Sequence, residues 1–166
     1  YKNVYEKYEQ DRYLVTFKLN ADKGISLPAG VVQGHNIMNV LCRLTAKYHE
    51  VNDFNKFPIP FACVAADIES GKEVIIKDGF LPEAMFASMS IPTIFAPTEI
   101  YNKLVVDGGI VNNFPVDVAK DMGADIIIGV DIQSKPLKKD EISDLMDVLG
   151  QMISYMGYEK YRENMK

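Results

Sequence analysis

Two periodicities of apolar residues run through the chain. Residues 34–48 place Ile37, Val40, Leu41, Leu44 and Tyr48 three and four apart, which lines one face of a helix. Residues 141–156 do the same with Ile142, Leu145, Met146, Leu149, Ile153 and Met156, predicting a last amphipathic helix. Residues 12–19 (RYLVTFKL) are rich in β-branched and aromatic side chains and predict a strand. Residues 61–68 (FACVAADI) are almost continuously apolar, as in a strand buried on both faces of a parallel sheet. Residues 73–77 (EVIIK) follow Ser70 and Gly71 closely enough for a hairpin turning at Gly71. Residues 104–107 predict a short strand, and residues 125–132 (DIIIGVDI) give the clearest buried-strand pattern of the chain.

Between these lie the punctuators. Residues 1–11 read as a polar lead-in, and residues 20–28 and 52–60 as loops marked by Gly24, Pro28, Pro58 and Pro60. Pro82 suits the first turn of a helix over 81–88 that ends before Ile91 and Pro92. A further helix over 115–122 stops at Gly123. Strands alternating with helices predict an α/β domain with a largely parallel sheet flanked by helices.

Composition narrows the function classes. The 166 residues suffice for one domain with a core, and a 48% apolar share excludes disorder. A net charge of −5 with no basic run argues against a nucleic-acid partner. No apolar stretch approaches the roughly 20 residues of a membrane-spanning helix. Cys42 and Cys63 are too few for a disulfide framework or a four-ligand zinc site and read as small buried hydrophobes. Asp67, Asp125 and Asp131 show no metal-ligand spacing, and no Gly-x-Gly-x-x-Gly follows a strand, so neither a metal nor a cofactor is expected.

The chemistry-bearing candidate is Asp107. It closes a strand and is followed by Gly108 and Gly109, which allow close backbone approach. Active groups of open α/β sheets gather at such strand ends. A tight turn with a solvated aspartate fits the same three residues. Asn113 either caps the helix opened by Pro115 or braces the loop carrying Asp107. Ser88 and Ser90, with Met89 and Ile91, lie in a stretch of small and apolar residues that suits either a substrate pocket or ordinary core. His35 and His49 read as exposed or capping residues.

Taken together, Ala66-Asp67 at the end of residues 61–68, Ala87-Ser88 through Ile91-Pro92, Asp107-Gly108-Gly109, Asn113-x-Pro115 and Gly123-Ala124-Asp125 into Val130-Asp131 resemble the C-terminal half of the patatin-like phospholipase family. The likeness is densest over 58–132 and thinner over 24–48, where Leu27-Pro28-Ala29-Gly30 and Gly34 fit. It implies a single, partial patatin-like domain over 1–166: an α/β acyl hydrolase working by a serine–aspartate dyad without a catalytic histidine. Asp107 is then the dyad acid, Gly108, Gly109, Asn113 and Pro115 support its loop, and Ser88, Met89, Ser90 and Ile91 line the acyl pocket. The implied substrate is a phospholipid or other lipid ester, met at a membrane or micelle surface.

The family's nucleophile sits in a Gly-x-Ser-x-Gly elbow. None of Ser26, Ser70, Ser88, Ser90, Ser134, Ser143 and Ser154 has glycine on both sides at that spacing, and the glycine-rich oxyanion loop is not found. The expectation is therefore that both precede Tyr1 in a longer protein and that these residues alone are inactive. An exposed strand edge would then pair with that preceding segment or with a second copy. The rival reading is a non-catalytic binding or scaffold domain derived from such an enzyme. A nucleotide-binding α/β domain fits the layer order but lacks a phosphate loop.

Overall fold

The computed structural model describes residues 18–20, 24–26, 30–32, 34–132 and 135–166. The polar lead-in over 1–11, most of the strand expected over 12–19 and the Leu27-Pro28-Ala29 match lie outside them. Three short strands open the described part: β1 (Lys18–Asn20), β2 (Gly24–Ser26) and β3 (Gly30–Val32). β1 and β2 pair antiparallel, so Gly24–Ser26 is strand where loop was expected. α1 (His35–Thr45) follows and continues as a 3-10 turn over Ala46–Tyr48, close to the predicted span. Of its predicted apolar face, Leu41 is buried and Ile37 half-buried, while Val40 and Leu44 face solvent.

The centre is a four-stranded sheet in the order β5-β4-β8-β7: β4 (Cys63–Asp67), β5 (Glu73–Ile76), β7 (Thr98–Ile100) and β8 (Lys103–Asp107). Every pairing in it is antiparallel. Parallel pairing is found between β3 and β6 (Thr93–Phe95). The expected largely parallel sheet is thus corrected among the described residues, and the reason lies in the connections. β4 turns into β5 through Gly71 at φ 67°, as the sequence indicated. β7 turns into β8 through Tyr101 and Asn102, at φ 53° and 57°. Two consecutive positive φ values mark the tight hairpin whose twist matches antiparallel strands. The apolar run of β4 does reflect burial on both faces. It packs against α2 (Leu81–Ser88) and against the short α3 (Gly109–Asn112), which shield it as crossover helices would.

α2 sits on the sheet through small residues. Ala84 and Ala87 are almost fully buried, in one core with Ala65, Val105, Ile76 and Phe54. Without bulk at these positions the helix axis approaches the strands closely. Among the described residues, 125–132 form no strand. Ile126, Ile128, Val130 and Ile132 are each at least three-quarters exposed. Their β pattern is real, but a strand needs a ladder partner, and none of the described strands pairs with them. The C-terminal part comprises α4 (Val116–Asp121), α5 (Leu145–Met156) and α6 (Tyr158–Asn164). α5 begins three residues later than its apolar pattern because Asp144 and Asp147 form a reciprocal capping box there.

Close packing of α2 yields a direct test. Ala87→Leu forces a branched side chain into a site with no free surface and is expected to cost about 1–3 kcal/mol. A shift of the urea midpoint with unchanged slope is the measurement, and an unshifted midpoint would show that α2 stands off the sheet.

Candidate functional site

β8 ends at Asp107, opposite Ala65 of β4. Because the pair is antiparallel, Cys63 and the residues before it lie at the sheet end where Asp107 emerges. The Asp107 amide donates to the carbonyl of Ser90 at 3.0 Å, tying the strand end to the segment that leaves α2. Its carboxylate Oδ1 accepts from the Gly109 amide at 2.7 Å, a short charge-assisted bond. Asp107 is half-buried, and burial pushes its pKa above the ordinary carboxylate value, with the Gly109 amide opposing in part.

Gly108 and Gly109 are small for different reasons. A Cβ on Gly108 would stand 2.2 Å from the Val64 carbonyl oxygen, so any other residue drives the turn off β4. A Cβ on Gly109 would meet Asp107 Oδ1 at 3.0 Å, crowding the carboxylate that its own amide binds. Gly109 then opens α3, whose first turn is closed by the Val111 and Asn112 amides on the Gly108 carbonyl.

The serines singled out from the sequence are engaged elsewhere. Ser88 Oγ donates to the Val64 carbonyl at 2.7 Å, and the fully buried Ser90 Oγ donates to the Phe86 carbonyl at 2.7 Å. Neither hydroxyl is hydrogen-bonded to Asp107. Met89 and Ile91 are more than a third exposed. None of these four lines the apolar cavity of about 300 Å³ formed by Tyr48, Phe57, Pro58, Ile59, Pro60 and Phe61 with Leu81 and Met85. Pro115 precedes α4 at its N-cap position. No side chain caps that helix, and Asn113 is exposed.

Of the Asn112–Asn113 pair, Asn112 is the buried member. Its amide donates to Glu73 Oε2 at 2.9 Å and to Asp117 Oδ1 at 3.0 Å, and its carbonyl accepts from Asn164 at 3.1 Å. Asp117 is also paired with Lys160 at 2.7 Å. Burial works to raise the Asp117 pKa, but the bonds from Lys160 and Asn112 bring it down to about 2. Sequence reading missed this network because its members span residues 73 to 164. The one local signal was an asparagine pair beside the Asp107 loop. Gly157, between α5 and α6, packs against the Gly109 carbonyl so closely that a Cβ there would come within 2.6 Å.

The remaining candidates are peripheral. His35 and His49 are exposed, the latter with Nε2 3.3 Å from Thr45 Oγ1. Cys63 is buried, which pushes its thiol up to about 12, and Cys42 is half-buried; both are free. Asp67 does end a strand, and its carboxylate is held by Ser70 Oγ, the Glu69 amide and Lys103. Among the described residues no cluster of acids, histidines and cysteines is arranged to hold a metal. Nor is any helix among them long and apolar enough to cross a membrane.

Known proteins resemble this chain in sequence. The family model described as patatin-like phospholipase matches residues 3–120. Uncharacterized NTE family proteins of Mycobacterium tuberculosis and Mycobacterium bovis are 28% identical over 128 residues, covering 75% of this chain and 34% of their own length. Patatin-like phospholipase domain-containing protein 7 of Rattus norvegicus is 35% identical over 81 residues, 46% of this chain and 6% of that protein. The chain thus spans about a third of the mycobacterial relatives it matches. With a family model covering most of its length, and Asp107 and its two glycines inside the matched span, the chain belongs to the patatin-like phospholipase family.

Proposed function

We propose that this chain supplies the aspartate half of a serine–aspartate lipid acyl hydrolase, with Asp107 as the base and the nucleophilic serine provided by sequence outside the 166 residues. The observation that carries the reading is the state of Asp107. It is a half-buried carboxylate at a strand end, held by the Gly109 amide, with its pKa raised by burial. A serine hydroxyl needs a neighbouring base to act as a nucleophile, and a carboxylate becomes a better base as its pKa rises. In this scheme Asp107 takes the hydroxyl proton as the serine oxygen bonds to the ester carbonyl carbon. The ester C–O bond breaks and the alcohol leaves with that proton. Water then attacks the acyl-serine and gives a proton to Asp107; the bond between the acyl carbon and the serine oxygen breaks, Asp107 returns that proton to the serine oxygen, and the fatty acid leaves. The family supports hydrolysis of lipid esters as the reaction class.

A second reading, a non-catalytic lipid-binding domain, is favoured by the serines themselves. Ser88 and Ser90 both commit their hydroxyls to backbone carbonyls, and no serine here stands in a Gly-x-Ser-x-Gly elbow. Labelling the intact protein with a fluorophosphonate separates the two. A labelled serine outside these residues supports hydrolysis, whereas an unlabelled, lipid-binding protein supports the second reading.

Asp107→Asn keeps an acceptor for the Gly109 amide but removes the base, so kcat/KM on a lipid ester is expected to fall by about 10²–10⁴. The same change is expected to stabilise the fold at neutral pH. The raised pKa fixes that sign. The unfolded aspartate ionises first, so stability is full below the ordinary carboxylate pKa and falls as pH rises towards the folded value. The gain from Asn should therefore vanish in acid, as denaturant midpoints at both pH values would show. Activity of the parent should rise with pH through an apparent pKa above that of an ordinary carboxylate. Gly108→Ala is expected to cost about 2–3 kcal/mol of stability by forcing the turn away from the Val64 carbonyl. Retention of the parent's denaturant midpoint and full kcat/KM would refute that packing role.

A further inference from the structure

The loop between the 3-10 turn Phe54–Lys56 and β4 is built unlike the others. Its tip is Pro58, Ile59 and Pro60, all exposed, with Ile59 at 81%. Both ends of the tip are fastened to one atom. The amides of Phe57 and Phe61 each donate to the carbonyl of the fully buried Phe54 at 3.3 Å. The Phe54 ring stacks on Phe57 at 5.3 Å and lies 6.0 Å from Phe61. The loop is therefore a clamped apolar projection, with the 300 Å³ cavity directly behind it.

We propose that this projection is a docking surface for a phospholipid layer, with the tip entering the interfacial region and the cavity receiving part of one acyl chain. Three features select that partner. First, proline has no N–H, so of the three tip residues only Ile59 brings an amide hydrogen into an apolar medium, where each unsatisfied donor costs several kcal/mol. Second, two lysines flank the apolar surface. Lys56 is 76% exposed and only loosely paired with Asp53 at 3.9 Å, and exposed Lys47 reaches over the ring of Tyr48 at 5.9 Å. Both ammonium groups then meet lipid phosphates at the rim of the docked tip. Third, Phe61 precedes β4 at the sheet end where Asp107 emerges, so a docked layer lies at the end of the sheet that carries that carboxylate. The proposal rests on the lipid reading above only for the nature of the surface, and its test involves no turnover.

The chain contains no tryptophan, so Ile59→Trp makes a single fluorescent reporter at an exposed site. On vesicles of phosphatidylcholine and phosphatidylglycerol its emission is expected to shift to the blue and to be quenched by brominated acyl chains. Leu104→Trp, at a half-exposed site that does not line the cavity, is expected to do neither. Adding Lys47→Glu and Lys56→Glu to the Ile59→Trp variant should weaken vesicle partition roughly tenfold or more at low salt. Unshifted emission from the Ile59→Trp variant with vesicles in excess would overturn the proposal. So would equal quenching at position 104, or charge reversals without effect. Loss of hydrolysis in Asp107→Asn leaves this readout unchanged, so each reading fails separately.

Discussion

The carbonyl of Val64 is the point about which the site is assembled. Ser88 Oγ donates to it from the end of α2, and Gly108 passes so close that a single methyl group would collide with it. Sheet, helix and turn therefore meet within van der Waals distance of one peptide group. The residues that permit this are small: Ala65 in the strand, Ala84 and Ala87 in the helix, and glycine in the turn. Interiors are packed too tightly to absorb an extra methylene without displacement. The position of Asp107 thus depends on side chains that are absent as much as on those that are present.

That packing sets the electrostatics of Asp107. A strand end pressed between β4 and the exit of α2 removes water from the carboxylate, and the Gly109 amide replaces only part of the lost hydration. An ionised group so placed costs stability, and the surrounding structure sustains it. Asp67, at the end of the adjacent strand, is the useful contrast. It is also buried, yet the hydroxyl of Ser70, the Glu69 amide and the nearby Lys103 hold its pKa below the ordinary value. Two strand-end aspartates in one sheet thus diverge through their hydrogen-bond partners.

The C-terminal helices are fastened to the same loop. Asn112 follows the Asp107 turn by five residues and is bonded at once to β5, α4 and α6 through Glu73, Asp117 and Asn164. Gly157 closes on the Gly109 carbonyl from the junction of α5 and α6. A buried polar network is stable only when every member is satisfied, and among the described residues no buried side-chain polar atom lacks a partner. The loop is therefore braced from the sheet on one side and from the helices on the other.

Local chemistry alone determined much of this. The periodicity of residues 34–48, the proline start of the helix over 81–88, the turn at Gly71, the strand ending in Asp107 and the glycine pair after it are encoded in neighbouring residues, because helix faces, hairpins and close turns depend on short-range sterics. Strand direction was not so encoded. The apolar run of β4 records burial on both faces, and burial is indifferent to whether neighbours run parallel or antiparallel. The same limit applies to residues 125–132, whose alternating isoleucines and valine describe a strand but cannot supply its partner. Only the tertiary structure decided that Ser88 and Ser90 point to backbone carbonyls, that Asn112 is the buried asparagine, and that Asp107 is desolvated. The Ser90 bond spans only four residues, but the others depend on groups brought together from distant parts of the chain, and no local pattern specifies such a meeting.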